Sequence, residues 1–322
     1  MASLGTWLQA TRPRTLPAAV VPVAVGTAVA ARGMPHWAPA LGCLVGSLLI
    51  QIGCNFANDA FDTVHGADTP SRVGPQRAVA AGLISVRTML LATGLVLTAA
   101  FLVGLYLTTI AAWPIMALGL VSITCAIAYT GGPFPLAYHG LGEVFVFLFF
   151  GLAAVLGTWW VQFCALQAPF VWQLPPGQLL SGIRQALALR PLPLWLACAV
   201  GLQCTAIICV NNIRDRVTDE ASGKRTVAVR LGDRPSRLLY GCVHVAAVAC
   251  LVVVARLLQA QPATPRGAVG LAWAAVAVAA LGGLVLTRGV FVTNGMVLNR
   301  YLARSAALEM LTGALLVIAL SI

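Results

Sequence analysis

Charge is scarce in this chain. Only 9% of its 322 residues are charged, 60% are apolar and the mean hydropathy is +0.90. A soluble domain carries about 25% charged residues, so there is too little polar surface here to coat a globule in water. That excludes a soluble enzyme, a disordered protein and a nucleic-acid binder. Lysine is almost missing: nineteen of the twenty cations are arginine and the other is Lys224. With alanine so abundant, this bias points to a GC-rich bacterial genome. Paired cysteine spacing is missing too. The nine cysteines are odd in number, include no C-x-x-C and lie mostly inside apolar runs, so they read as small packing residues rather than metal ligands or disulfides. No cleavable leader is evident. Met1 to Gln9 is mildly amphipathic and Arg12 and Arg14 precede the first apolar run, which predicts an uncleaved start with a cytoplasmic N-terminus.

What the chain has in quantity is long apolar sequence. Runs bounded by charge, Pro or Gly fall at 15–31, 37–60, 87–109, 111–130, 141–163, 192–213, 236–257, 267–287 and 305–322. A helix needs about 20 apolar residues to cross a bilayer core. The expectation is an all-α polytopic membrane protein, about nine transmembrane helices in one domain over residues 1–322. Trp113-Pro114 and Thr293-Asn294-Gly295 either sit inside helices or end them. The Pro-rich 164–191 segment reads as an extracytoplasmic loop insertion with a short surface helix near Ser181 to Leu189.

With the N-terminus inside, Arg12, Arg14, Arg72, Arg77 and Arg87 fall in inner segments. So do Arg214, Arg216, Lys224, Arg225, Arg230, Arg234, Arg237, Arg288, Arg300 and Arg304, while only Arg32, Arg184, Arg190, Arg256 and Arg266 fall outside. The positive-inside bias predicts this asymmetry, and with it a multi-pass protein of the bacterial plasma membrane.

The acids are fewer and more informative. Of nine carboxylates, six lie in two stretches: Asp59, Asp62 and Asp68 after Asn55 and Asn58, and Asp215, Asp219 and Glu220 after Asn211 and Asn212. Each stretch ends an apolar span and enters a predicted inner loop. Four spans separate them, so both lie on one side of the membrane. Their shared layout suggests a weak parallel repeat. On a helix, Asn55, Asp59 and Asp62, and likewise Asn211, Asp215 and Asp219, share a face.

Six carboxylates at the bilayer centre would cost roughly 15–20 kcal/mol, so they line a cavity or its inner rim. Two carboxylates about 6 Å apart repel by roughly 3 kcal/mol at an effective dielectric near 20, so a cation belongs between them. Oxygen-only donors suit Mg²⁺, completed by water and substrate phosphate. Arg14, Arg72, Arg77, Lys224 and Arg225 are the candidates for phosphate or carboxylate contacts. In the alternative, Arg214 and Arg216 simply pair with Asp215 and Asp219. Glu143 reads as a helix N-terminal cap, and Glu309 either pairs with a neighbouring helix or faces the cavity rim.

These stretches, with Arg12-Pro13-Arg14-Thr15-Leu16-Pro17, resemble the intramembrane aromatic prenyltransferases of the UbiA superfamily. Tyr129-Thr130-Gly131-Gly132-Pro133, the run from Gly140 to Gly151, and Gly223 to Asp233 resemble the branch acting on 1,4-dihydroxy-2-naphthoate. One departure stands out: many relatives carry Lys or Arg just after the Tyr, whereas Gly131 to His139 holds no cation other than His139. The resemblance implies helices around a central cavity, a cap from two inner Asp-rich loops and a lateral opening to lipid. It implies transfer of a polyprenyl group from polyprenyl diphosphate to the small aromatic acid, with loss of CO₂ and pyrophosphate.

In that scheme two Mg²⁺ ions bridge the diphosphate. Asp59, Asp62 and Asp68 hold them from one side, Asp215 and Asp219 from the other. Asn55, Asn58 and Asn211 contact substrate. Tyr129 either faces the allylic cation or anchors at the interface. Other aromatic acceptors, such as 4-hydroxybenzoate, homogentisate, haem or chlorophyllide, stay open. So does a cation-coupled transporter, whose ligands belong nearer the midplane.

Overall fold

The computed structural model describes residues 2–31, 33–68, 77–167, 175–189 and 191–322, and among these it is helical with no strand. The helices are α1 Leu4–Ala10, α2 Pro17–Ala31, α3 Trp37–Val64, α4 Val86–Ala111 and α5 Trp113–Ala128. Next come α6 Gly142–Val146, a π-helical stretch Phe147–Leu156, α7 Gly157–Gln167 and α8 Pro176–Leu189. The chain ends with α9 Leu192–Ala221, α10 Val227–Leu231, α11 Asp233–Gln259, α12 Arg266–Val292 and α13 Leu298–Ser321.

Seven helices are long and apolar enough to cross a membrane: α3, α4, the continuous Gly142–Leu166, α9, α11, α12 and Gly295–Ser321. The other two expected spans fold as α2 and α5, of 15 and 16 residues. At 1.5 Å per residue these reach about 22–24 Å, short of the ~30 Å hydrocarbon core. Large apolar side chains in mid-helix point outward on α4, α11 and α12, among them Leu91, Leu95, Val245, Leu281 and Val285. In water this surface would be a liability; against lipid it is the expected exterior.

Helix ends account for the main differences from the sequence reading. The runs at 37–60 and 192–213 stop where polarity begins, but α3 and α9 continue to Val64 and Ala221. A 28-residue α3 is about 42 Å long, so its last turns outrun the apolar core. The expected Asp-rich loops are therefore largely helical: Asp62, Asp215 and Asp219 sit in these extensions, Asp59 lies just before the first of them, and Asp68 lies in a loop. Both doubtful interruptions are helix ends. Ala112, at φ 61°, makes a one-residue corner before Trp113-Pro114. The 293–295 corner is held by Arg237, which donates to the carbonyls of Val290 and Thr293 and to Asn294 Oδ1. Helix α8 begins five residues before the expected surface helix, and its buried Leu179 joins the apolar cluster of Val23, Leu107, Trp159 and Trp160.

Two helix groups enclose the centre. In one, α3 packs on α2, α4 and α5; in the other, α9 and α12 pack on α11, and α13 packs on α12 and α9. The groups join where α13 meets α2 and where the π stretch meets both α2 and α9. Close approach there depends on small residues, as is usual between membrane helices. A Cβ on Gly151 would lie 2.7 Å from both the Ala197 carbonyl oxygen and Gly201 Cα. Gly151→Ala is therefore expected to cost about 1–3 kcal/mol, seen as a lower melting temperature in detergent. Gly94→Ala, where nothing lies within 4 Å of the added carbon, should hold it or raise it slightly.

Candidate active site

A cavity of about 350 Å³ runs between the two groups. Its apolar stretch is walled by Phe101, Leu107, Ile115, Met116, Phe149, Phe150 and Val161. Its polar end carries Arg12, Asn55, Asn58, Asp62, Arg77, Tyr129, Asn211, Asn212, Asp215, Asp219 and Lys224. The two Asp-bearing helix ends, more than 150 residues apart in sequence, thus share one chamber.

Asp62 is the hub on α3. It is 1% exposed, and Arg77 Nη2 donates to its Oδ2 at 3.0 Å while the Tyr138 hydroxyl donates to its Oδ1 at 2.9 Å. Lys224 Nζ stands 3.8 Å from the same carboxylate and 5.2 Å from the Tyr138 ring centre. Lys224 is fixed in turn by its backbone N–H, which donates to the Asp219 carbonyl at 2.8 Å. One cation therefore bridges the end of α9 to the carboxylate of α3. Burial first, then the Asp62 charge, raises the Tyr138 phenol well above its ordinary pKa, so it stays a protonated donor. Asp68 joins the set through Arg77 Nε at 3.5 Å.

The α9 side has its own guanidinium. Arg214 grips Asp215 with two bonds, Nε to Oδ1 at 2.7 Å and Nη2 to Oδ2 at 2.5 Å. It also donates to Asn211 Oδ1 at 2.8 Å and Asn299 Oδ1 at 2.7 Å. Half of the simple pairing alternative therefore holds, because Arg214 does neutralise Asp215. Arg216 instead stands 4.0 Å from the exposed Glu220, while Asp219 lines the cavity.

The first trio shares a helix face but not one set of partners. Asn55 Nδ2 donates to the Thr11 carbonyl at 2.9 Å, and Asn58 Oδ1 accepts from the Thr130 hydroxyl at 2.8 Å. Asp59 turns away from the chamber: its two oxygens accept the backbone N–H groups of Ala78 and Val79, each at 3.1 Å. That clamp seats the segment carrying Arg77. Tyr129 lines the cavity beside Gly142, where an added Cβ would come within 2.9 Å of its Oη. Arg225 is exposed and stands outside the lining, its N–H donating to the Tyr138 carbonyl. Arg72 and the side chain of Arg14 lie outside the described residues.

Sequence reasoning passed over Arg12. It lines the cavity and holds a left-handed backbone, φ 54°, rare for a residue with a Cβ and often a mark of a functional site. Its only signal was the Arg-Pro-Arg string, which does not say which arginine turns inward. Tyr138 was passed over as well, and Asn212 was given no role; nothing periodic marks the first, since it lies in a 3-10 turn at Leu136–His139.

The donor set suits Mg²⁺: hard carboxylate oxygens of Asp62, Asp215 and Asp219 face one chamber with amide oxygens nearby. Among the described residues, no three carboxylate, imidazole or thiolate groups already form a cluster that could hold a metal. Guanidinium and ammonium groups stand among the acids instead. Arg77 Nη1 is buried with no hydrogen-bond partner among the described residues, so it can still donate to an anion. A metal and a polyanion together would satisfy both sets of groups.

The Asp59 clamp yields a direct expectation. Asp59→Asn replaces an acceptor with an N–H₂ facing a backbone N–H, at a cost of about 1–3 kcal/mol. Amide hydrogen exchange at Ala78 and Val79 should accelerate while α9 amides keep their rates.

The chain matches the UbiA prenyltransferase family over residues 19–295. It is 39% identical over 291 residues to the 1,4-dihydroxy-2-naphthoate octaprenyltransferase of Mycobacterium tuberculosis, covering 90% of this chain and 89% of that one. It is 35% identical over 255 residues to the enzyme of the same name from Escherichia coli, covering 77% and 75%. In fold it resembles a UbiA homolog from Archaeoglobus fulgidus solved with DMAPP and Mg²⁺, with TM-score 0.65, 13% identity and coverage of 97% and 99%. An Aeropyrum pernix homolog solved in the apo form gives TM-score 0.66 at 17% identity, covering 94% and 97%. The chain belongs to the UbiA prenyltransferase family.

Proposed function

We propose that this protein transfers a polyprenyl group from polyprenyl diphosphate to 1,4-dihydroxy-2-naphthoate, releasing CO₂ and pyrophosphate and giving demethylmenaquinone. The observation that carries this reading is the shared chamber, in which Asp62 on α3 and Asp215 and Asp219 on α9 face one polar pole of an otherwise apolar cavity. A lipid diphosphate has the same division into a charged head and a greasy tail. The names of the relatives supply the acceptor.

Asp62, Asp215 and Asp219, with Asp68 beside them, would hold Mg²⁺. When bound it offsets diphosphate charge and makes pyrophosphate a better leaving group. Asp59, which holds Ala78 and Val79 and is absent from the cavity lining, is left out of that set. Arg77, with its unpartnered Nη1, and Lys224 donate to phosphate oxygens. Both are already held in place by Asp62, so little ordering remains at the moment of binding. Arg12, on the same lining, meets the acceptor carboxylate, a role that no cation between Gly131 and His139 fills from within the lining.

C–O cleavage leaves an allylic cation that water would destroy. The aromatic and aliphatic walls from Phe101 to Val161 exclude water along the tail. Tyr129 lines the cavity at the polar end, where a π face or an oxygen lone pair would stabilise positive charge. The electron-rich ring then attacks, and loss of CO₂ restores aromaticity. The excess of arginine on the same side as α3 and α9 C-termini supports a chamber opening to the cytoplasm of a bacterial cell.

The test is pyrophosphate release by purified protein with polyprenyl diphosphate and each candidate acceptor. Release should need Mg²⁺, stop with chelator, return on Mg²⁺ addition and require dihydroxynaphthoate. Asp62→Asn and Asp215→Asn should each lower kcat by about a hundredfold or more, with the protein still inserted. Equal activity with 4-hydroxybenzoate would move the acceptor assignment, and full activity of either variant would remove the metal-clamp assignment.

A further inference from the structure

Glu143 differs from the other acids near the chamber. Asp62 has Arg77 and Lys224, and Asp215 has Arg214. Glu143, at the start of α6 and 8% exposed, has a neutral partner instead: Asn212 Nδ2 donates to its Oε1 at 2.9 Å. Its Oε2 is buried with no hydrogen-bond partner among the described residues. From the first turn of α6 the side chain also crosses to α9.

This contact fixes a direction. A carboxylate oxygen facing an amide calls for N–H, so Asn212 must turn its Nδ2 to Glu143 and its Oδ1 the other way. The preceding residue is set the opposite way, because a guanidinium only donates: Arg214 takes Asn211 Oδ1 and leaves Asn211 Nδ2 as the free end. Both asparagines line the chamber. Two adjacent amides therefore present opposite polarity, a donor from Asn211 and an acceptor from Asn212. For Asn211 the orientation follows from a partner that can only donate; for Asn212 it is the one the contact shows, with the Glu143 carboxylate as acceptor.

We propose that Glu143 is a positioning residue that fixes Asn212 as a hydrogen-bond acceptor for the 4-hydroxyl of the aromatic acid, and so sets acceptor specificity. The proposal rests on the prenyl-transfer reading given above. The hydroxyl next to the carboxylate is satisfied internally, as in any ortho-hydroxy acid, so the distal hydroxyl is the one that needs a protein acceptor. A site built to accept from a hydroxyl rejects an analogue that lacks it, because its own oxygen is left unpaired.

The experiment compares 1,4-dihydroxy-2-naphthoate with 1-hydroxy-2-naphthoate, which lacks only the distal hydroxyl, as competing ligands of the full-length protein in detergent. The first is read as Kd and KM, the second as Ki. The wild type should favour the dihydroxy acid by about tenfold or more. In Glu143→Gln the amide pair can reverse, so the preference should fall at least about fivefold while KM for polyprenyl diphosphate stays put. Asn212→Leu should lose the preference in the same way. A wild-type preference near one overturns the proposal whatever the variants do. So does a Glu143→Gln protein that keeps the preference, or one in which both KM values rise together as for a merely structural residue. No turnover of dihydroxynaphthoate by the wild type would instead overturn the underlying prenyl-transfer reading.

Discussion

Carboxylates have been carried to the end of an apolar bundle, and each has to be compensated where it stands. An uncompensated charge in such surroundings costs several kcal/mol. Around Asp62 the compensation comes from Arg77, Lys224 and the protonated Tyr138, and around Asp215 it comes from Arg214. These requirements order the segments that close the chamber. Arg77 is placed because Asp59 holds the amides of Ala78 and Val79, and Lys224 is placed because its N–H caps α9 at Asp219.

In the proposed reading, a metal diphosphate would exchange against this compensation: Arg77 and Lys224, which pair with Asp62, would become phosphate donors if a divalent cation took over the carboxylates. The cavity is thus charged and preordered at one pole and apolar along the rest of its length. Glycines at 151 and 201 let the π stretch and α9 approach closely enough for the aromatic residues Phe149 and Phe150 to form part of that wall. A π-helical stretch at such a place fits the wider association of π geometry with functional sites.

Much of this was legible in the sequence. Apolar run lengths located the helices, and the parity of spans between the acidic stretches placed both at one end, where Asp62, Asp215 and Asp219 do meet. The extent of α3 and α9 was not legible, because hydropathy stops where the membrane stops while hydrogen-bonded helix continues. Nor was the division of labour within a trio. A spacing of four and three residues puts Asn55, Asp59 and Asp62 near one face, but the folded-back segment at 77–79 offers backbone amides to the middle one. Arg12 was hidden because its placement rests on a left-handed turn, which leaves no periodic trace. Glu143 does stand in the first turn of α6, but that position carries no information about its partner across the helix interface at Asn212.

The central claim is that the α3 and α9 carboxylates jointly grip one metal-bound lipid diphosphate. Electron paramagnetic resonance of Mn²⁺ bound with a non-hydrolysable polyprenyl thiodiphosphate tests it most directly. The account predicts Mn²⁺ with ³¹P hyperfine coupling, and the signal lost both in Asp62→Ala and in Asp215→Ala. Phosphorus-coupled Mn²⁺ that survives removal of either carboxylate would contradict it.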